Sequence, residues 1–512
     1  MTATATVPES APAPETRRRF RRPDPLIWLS CAAALVVYLL HGFDGRLTRD
    51  LGVYSYGGQQ VAEGVPPYVA IVNRAGPLGH LIPGIGVVVG RAIGADDVLA
   101  MRVLSMLLAI ACIGLTYLLG RDLFRSRLAG IAAAAAMLCT QGFITYATYG
   151  PREKTAMVLF VLCGLLAMLK QRWGTTGFFI ALATLTWQPV FLAAIAGAAV
   201  AAFLGLRTGR FRALVRLAVG GLIPTVITVG AYAAIGELQV FLDDFLLINA
   251  QYTKQVSLLD SPAYLWQLMD DAYGWSLWVF IVGSLAQLVL TGIVISRRER
   301  RRGPEGAALV GTGVMFVVGV LWSLKAFNGW PDAFFLLPGA ALGIAGIAVV
   351  LARWLPSRAA VAVVLVWAVA ATAMAVDYSV SNRDDTLDGQ RADVEAAMKL
   401  LPADTTMLSV EAPEPLVLAH LRNISRYQLL GNGLLDYLDA TWPGGSMGYG
   451  RWVAEQAPTV IAVGSDQVPT WLTPTLENYR RVGRSVGWLW YVRRDVGPET
   501  LDALADELHD RT

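Results

Sequence analysis

Two carboxylates, Asp44 and Asp50, follow closely on the first long apolar run of this 512-residue chain. They stand in Phe43-Asp44-Gly45-Arg46-Leu47-Thr48-Arg49-Asp50, ahead of Leu51-Gly52-Val53-Tyr54-Ser55-Tyr56 and Glu63-Gly64-Val65-Pro66-Pro67-Tyr68. A carboxylate just past an apolar helix, backed by aromatics and a Gly/Pro-rich stretch, can sit half-buried. Burial raises its pKa and fits it to accept a proton from a hydroxyl. The alternative is that both acids merely solvate a loop. Further charges stand at the ends of other apolar runs: Arg74, Arg152-Glu153-Lys154, Lys325 and Asp332. A fixed cation at a low-dielectric boundary stabilises negative charge that develops during a reaction. Asp332 could bind hydroxyls or cap the helix that follows it. His41 and His80 have no cysteine or carboxylate at metal-ligand spacing, so packing is their expected role.

The elements that must position these groups are apolar helices. Hydrophobic residues make up 55% of the chain and charged ones 16%, and mean hydropathy is +0.50. Apolar stretches long enough to cross a bilayer recur from Leu26 to Val376, which gives a polytopic helical membrane protein and excludes a soluble enzyme. Cys31, Cys112, Cys139 and Cys163 all lie inside apolar spans, so neither a disulfide framework nor a zinc site is expected. The net charge of +3 does not suggest nucleic acid as a partner. Spans are expected at 26–43, 100–120, 128–147, 156–170, 174–187, 189–206, 214–235, 274–296, 307–324, 333–351 and 358–376.

With eleven crossings, the segments 17–22, 121–127, 170–172, 207–216, 297–302 and 353–358 share one side and hold 21 of the 42 Lys and Arg residues. The opposite loops, 44–99, 148–155, 236–273 and 325–332, hold eight. Positive charge is retained inside, so residues 1–25 read as a disordered basic cytoplasmic tail and the acidic loops as external. Residues 78–93, broken by Pro83 and glycines, are expected to lie along the membrane surface rather than cross it. The third external loop, 236–273, reads as an aromatic surface helix against lipid, with Asp243-Asp244 a weak metal candidate. Beyond Asp377 composition changes: residues 378–512 carry 12 basic and 19 acidic residues. Apolar runs at 407–410, 459–463 and 489–492 predict strands, and helical patterns appear at 391–400, 413–422 and 448–456. This is an external α/β domain whose tryptophans could stack on sugars or form its core.

Order and spacing of several short motifs carry a resemblance. Asp50-x-x-x-Tyr54, Glu63-Gly64-x-Pro66-Pro67-Tyr68, Gly76-Pro77-Leu78, Asp97-x-x-x-x-Arg102, Thr148-Tyr149-Gly150-Pro151-Arg152-Glu153-Lys154-Thr155 and Gly329-Trp330-Pro331-Asp332 follow one another over residues 26–376. Their arrangement resembles that of GT-C membrane glycosyltransferases, such as protein mannosyltransferases and aminoarabinose transferases. The resemblance implies an all-α, GT-C-like transmembrane domain of about 11 helices at 26–376, with the α/β domain at 378–512 appended. It implies an inverting enzyme that moves a monosaccharide, with mannose or arabinofuranose favoured, from a polyprenyl-phosphate donor. The acceptor would be an envelope glycan, glycolipid or protein at the outer face. Carried over by residue, Asp50 becomes the candidate base, with Asp44 and Glu153 as alternatives. Arg152, Lys154, Lys325 and Arg74 become candidates for the donor phosphate, and Asp332, Tyr54 and Tyr68 for substrate. No cofactor and no metal are expected for a monophosphate donor; the partners are this donor lipid, its acceptor and membrane lipids. The competing reading is a lipid-linked sugar or polymer transporter with an external accessory domain. Such a protein would show repeated halves and charges at mid-span, and the sequence shows neither.

Overall fold

The computed structural model describes residues 24–206, 209–254, 257, 261–297, 299, 303–464 and 467–508. The expected amino-terminal tail lies outside them except for Asp24 and Pro25. The first apolar segment is helix α1 (Pro25–His41), capped by Asp24 and ended at Gly42. Then come α2 (Arg49–Ala62), α3 (Leu78–Ala92), α4 (Asp97–Phe124), α5 (Arg127–Leu138), α6 (Gln141–Tyr149), α7 (Glu153–Leu169), α8 (Trp173–Thr184), α9 (Val190–Gly205) and α10 (Arg210–Ala234). Short helix α11 (Leu238–Leu242) runs into a π-helical segment (Asp243–Tyr252) and is followed by α12 (Pro262–Tyr273). Helices α13 (Ser276–Ser296), α14 (Pro304–Lys325), α15 (Leu337–Trp354) and α16 (Ser357–Ser381) complete the apolar part, with a 3₁₀ turn (Trp330–Leu336) leading into α15.

All eleven apolar segments are helical. Among the described residues, six helices (α4, α10, α13, α14, α15 with its 3₁₀ turn, and α16) are long and apolar enough to cross a membrane. The segment expected as one span at 128–147 is instead two helices, α5 and α6, bent by 68°, and it makes a seventh crossing if counted as one. The remaining four segments form shorter helices: α1 and α7 have 17 residues, α8 has 12 and α9 has 16.

Helix α4 is the hub, packed on α1, α3, α5 and α7; α9 lies along α14, and α13 along α15. Polar contacts sort the helix ends into two groups. Asp24 pairs with Arg121 and Arg127, and Arg125 pairs with Glu305, at one end. The loops that hold the candidate residues gather at the other.

Helix α2 and residues 386–508 share one core rather than meeting as separate bodies. Leu47, Leu51 and Tyr56 pack with Leu387, Leu416, Trp488 and Trp490. The carboxy-terminal part contains α17 (Thr386–Leu400), β1 (Met407–Val410), α18 (Glu414–Ala419), α19 (Leu434–Thr441), α20 (Gly445–Gln456) and β2 (Val460–Val463). It ends in α21 (Thr473–Leu476), β3 (Tyr479–Ser485), β4 (Trp488–Arg493) and α22 (Pro498–Glu507). The sheet order is β1-β2-β4-β3, with β1 and β2 parallel and the other pairs antiparallel. A parallel β1–β2 pair needs a crossover, and α18–α20 supply it. Trp471, Trp488 and Trp490 are buried, so these tryptophans belong to the core.

One contact in this shared core titrates. Glu414, at the start of α18 against Gly52, is buried, and its Oε2 has no hydrogen-bond partner among the described residues. Burial pushes its carboxyl up from the ordinary 4.5 to about 8, against the pull of Arg46 and Arg49. The folded protein therefore keeps a proton that the unfolded chain releases above about 4.5. Stability from this group is complete below that value and is lost as pH rises through about 8. Glu414→Gln, which mimics the protonated acid, is expected to flatten the fall in thermal unfolding midpoint over that window. An unchanged pH slope would remove Glu414 as its source.

Candidate functional site

Where α2, α7, the 3₁₀ turn and the carboxy-terminal domain meet, they enclose a cavity of about 340 Å³. Most of its charged side chains stand at the ends of elements. Asp50 is in the first turn of α2, where the helix dipole favours a carboxylate. Arg152, Glu153 and Lys154 form the start of α7, which the Gly150-Pro151 break separates from α6. Asp332 lies in the 3₁₀ turn. Arg74 sits in the irregular strand between α2 and α3, where Gly76 passes so close to Leu185 that a Cβ would lie 2.0 Å from its carbonyl oxygen.

These charges form one alternating chain. Glu411 Oε2 accepts from Arg49 Nη1 at 2.8 Å, and Arg49 Nη2 lies 3.2 Å from Asp50 Oδ1. Asp50 Oδ2 accepts from Arg152 Nη1 at 2.7 Å, and Arg152 Nε lies 3.2 Å from Glu153 Oε2. Lys154 Nζ then bridges Glu153 Oε1 at 3.3 Å and Asp332 Oδ1 at 2.9 Å, while lying 3.5 Å from the centre of the Trp187 ring. Asp332 Oδ2 accepts the Asn328 N–H at 3.0 Å. The four carboxylates outnumber the three cations by one.

Arg74 restores neutrality without joining the chain. Among the described residues no carboxylate lies within ion-pair distance of it; its Nη1 only approaches the Asn432 carbonyl, at 3.4 Å. Burial pulls the guanidinium below arginine's usual value despite Tyr54, Asp332 and Asp50 nearby. A desolvated cation without a partner carboxylate gains by binding an anion.

Asp50 behaves differently from the half-buried base expected of its position. Burial alone would raise its pKa, but Arg152 and Arg49 override it and hold the carboxyl well below the usual carboxylate range. It is nonetheless the most open acid of the buried stretch running from it to Asp332, with 43% of its side chain exposed against 4% for Glu153.

Of the residues expected from the sequence, Asp50, Tyr54, Arg74, Arg152, Glu153, Lys154 and Asp332 line this cavity; Asp44, Lys325 and Tyr68 do not. Asp44 lies at the junction with α17, where its carbonyl accepts the Leu387 N–H. Lys325 ends α14 with its side chain exposed, while the next residue, Ala326, reaches the cavity. Tyr68 is fully buried among Tyr232 and Phe241 and donates to the Ala75 carbonyl at 2.6 Å, so it supports the Arg74 strand from behind. Asp244 is buried in an ion pair with Arg426. His41 and His80 are buried, bonded to Thr148 and Asn73. Sequence reasoning missed Arg49, Glu411, Gln188, Asn249 and Asn432. Polar residues beside apolar runs were the available signal for Arg49 and Gln188, and nothing local marked the rest.

No protein-family model matches the chain, and no curated protein does. Solved structures do. ArnT from Cupriavidus metallidurans bound to undecaprenyl phosphate superposes with a TM-score of 0.64 at 14% identity, covering 93% of this chain and 100% of that one. Its apo form gives 0.63 at 15% identity over 93% and 99%. An Archaeoglobus fulgidus oligosaccharyltransferase, in complex with Zn and sulfate, gives 0.52 at 13% identity over 91% and 73%. The protein therefore shares the fold of these solved structures, an apolar helical part with a small α/β domain at its carboxy-terminal end.

Proposed function

We propose that the protein is an inverting glycosyltransferase that takes a monosaccharide from a polyprenyl-phosphate lipid at the outer face of the membrane. The observation that carries this reading is the pairing of an ion-paired but open carboxylate, Asp50, with a cation free of carboxylates, Arg74, in one cavity. An acceptor hydroxyl gives its proton to Asp50 as its oxygen forms a bond to the anomeric carbon. The bond from that carbon to the phosphate oxygen breaks on the opposite face, and configuration inverts. The phosphate gains one negative charge as it leaves, which Arg74 and Arg152 stabilise.

The tight hold on Asp50 fits this scheme. A phosphate that draws Arg152 towards itself removes the main counter-charge from Asp50 and raises its basicity only when donor is present. Cavity residues Phe191 and Leu192 are 45% and 53% exposed on the outside of α9, which offers an apolar edge for the lipid chain. The fold neighbours fit the same donor class, since ArnT was solved with undecaprenyl phosphate. Acidic loops and the carboxy-terminal domain would face outward, the basic turns inward. Because nucleotide sugars are made inside, a sugar used outside must arrive on a lipid. Mannose or arabinofuranose is the favoured cargo, and an envelope glycan, glycolipid or protein the acceptor.

The test is transfer by the purified protein in lipid, offered radiolabelled polyprenyl-phosphate sugars with a membrane glycan extract. Incorporation from one donor is expected. A folded protein that transfers from none would overturn the reading.

A further inference from the structure

The strand that carries Arg74 is strapped down from three directions, and the deepest strap begins in the carboxy-terminal domain. Asp244, in the π-helical segment, is completely buried and forms an ion pair with Arg426. Its other oxygen accepts the Asn73 N–H at 3.1 Å. The Asn73 side chain in turn accepts the Ala75 N–H at 3.1 Å and meets His80 Nε2 at 2.8 Å. On the same strand the Val72 N–H donates to the Arg426 carbonyl at 2.9 Å. The Arg74 carbonyl is clamped by Gln188 and Asn249, each at 2.9 Å.

Backbone atoms of Val72, Asn73, Arg74 and Ala75 are thus all held, while the Arg74 guanidinium is left for the cavity. A completely buried carboxylate is costly unless paired, and here its second bond goes to the residue preceding Arg74. We infer that the Arg426–Asp244 ion pair is a positioning device: through Asn73 it fixes Arg74 for the phosphate of the ligand, so that the carboxy-terminal domain sets affinity for the donor. This inference rests on the reading of Arg74 as a phosphate-binding cation. It gives the domain a role even though its wall of the cavity, at Glu411 and Asn432, supplies no free cation.

The experiment is binding of undecaprenyl phosphate, with uncharged undecaprenol as control, to the full chain in nanodiscs. Arg74→Gln, Asp244→Asn, Arg426→Gln, Arg426→Lys and the Arg74→Gln/Asp244→Asn double variant are compared. Arg74→Gln is expected to weaken binding roughly tenfold, as loss of a charge-assisted bond does. Asp244→Asn and Arg426→Gln should approach that loss, and Arg426→Lys should recover part of it. The double variant should bind no worse than Arg74→Gln alone, because Asp244 acts only through Arg74. Amide exchange confined to residues 72–76 would accompany the loss and separates it from global unfolding. Normal binding by folded Asp244→Asn, or additive losses in the double variant, would overturn the inference while leaving the donor class intact. Wild type that binds the phosphate no better than undecaprenol would instead overturn the donor reading, and the inference with it.

Discussion

Asp50→Asn is expected to lower sugar transfer by about 10²- to 10⁴-fold, the usual contribution of a general base, with the fold unchanged. The amide has the shape of the carboxylate but cannot take the acceptor's proton. Both arginines around it keep a partner: Arg152 remains with Glu153, and Arg49 with Glu411. No buried charge is orphaned, so expression and unfolding midpoint should stay near those of wild type. Donor affinity should hold or improve, because Arg152 no longer has Asp50 competing with the phosphate. The signature is therefore a fall in kcat with a KM for donor that does not rise. The depressed pKa adds a second signature: in the resting protein Asp50 is ionised throughout the neutral range, so it cannot itself cause an acid-side loss of kcat/KM near pH 6. Transfer surviving the substitution within about threefold would remove Asp50 as the base. Glu153 would be a poor successor, since it is buried between two cations and largely closed to an acceptor.

Much of this site could be read without coordinates, because a membrane protein concentrates its chemistry where apolar runs stop. Asp50, Arg152, Lys154 and Asp332 are polar groups at helix ends, and resemblance supplied their order. What could not be read was pairing across the chain. Arg49 and Glu411 are separated by 362 positions, and no local pattern says that the end of β1 will reach α2. The same gap explains Asp50: a loop carboxylate between aromatics suggests an elevated pKa, and the approach of Arg152 from another helix, together with Arg49 beside it, reverses it. Asp244 is a second case of pairing across the chain: its partner, Arg426, lies 182 positions away.

Helix geometry was misread for a related reason. The run 128–147 carries few polar residues, Thr140, Gln141 and Thr145, and the bend between α5 and α6 falls at Cys139-Thr140, with no proline in the run. The Thr140 hydroxyl donates to the Ala136 carbonyl and the Gln141 N–H to Ser276 Oγ, so side chains satisfy groups that the break exposes. Strand β3 went unseen because Tyr479-Arg480-Arg481-Val482-Gly483-Arg484-Ser485 lacks a clean apolar alternation; it is an edge strand with Arg481 exposed and Arg480 and Arg484 half-buried.

Lys154→Met is expected to have the largest effect on stability. Lys154 is 2% exposed and joins two buried carboxylates, Glu153 and Asp332. Removing one partner of a buried ion pair costs about 3–5 kcal/mol, because the charge left behind is uncompensated. The two acids do not suffer equally. Glu153 keeps Arg152, whereas among the described residues Asp332 keeps only the Asn328 N–H. The stranded charge is therefore Asp332, and adding Asp332→Asn to Lys154→Met should recover much of the lost folded yield and unfolding midpoint. Exposure falls steadily from Asp50 at 43% through Arg152 at 12% to Lys154 at 2%, so the same ion chain changes its task along its length. At the open end, removing a charge should reduce turnover and spare the fold; at the closed end it should damage the fold first. A Lys154→Met protein that unfolds like wild type, or one that Asp332→Asn does not rescue, would contradict that division. Donor binding by the rescued double variant would then show that the buried end anchors the catalytic end rather than touching the phosphate.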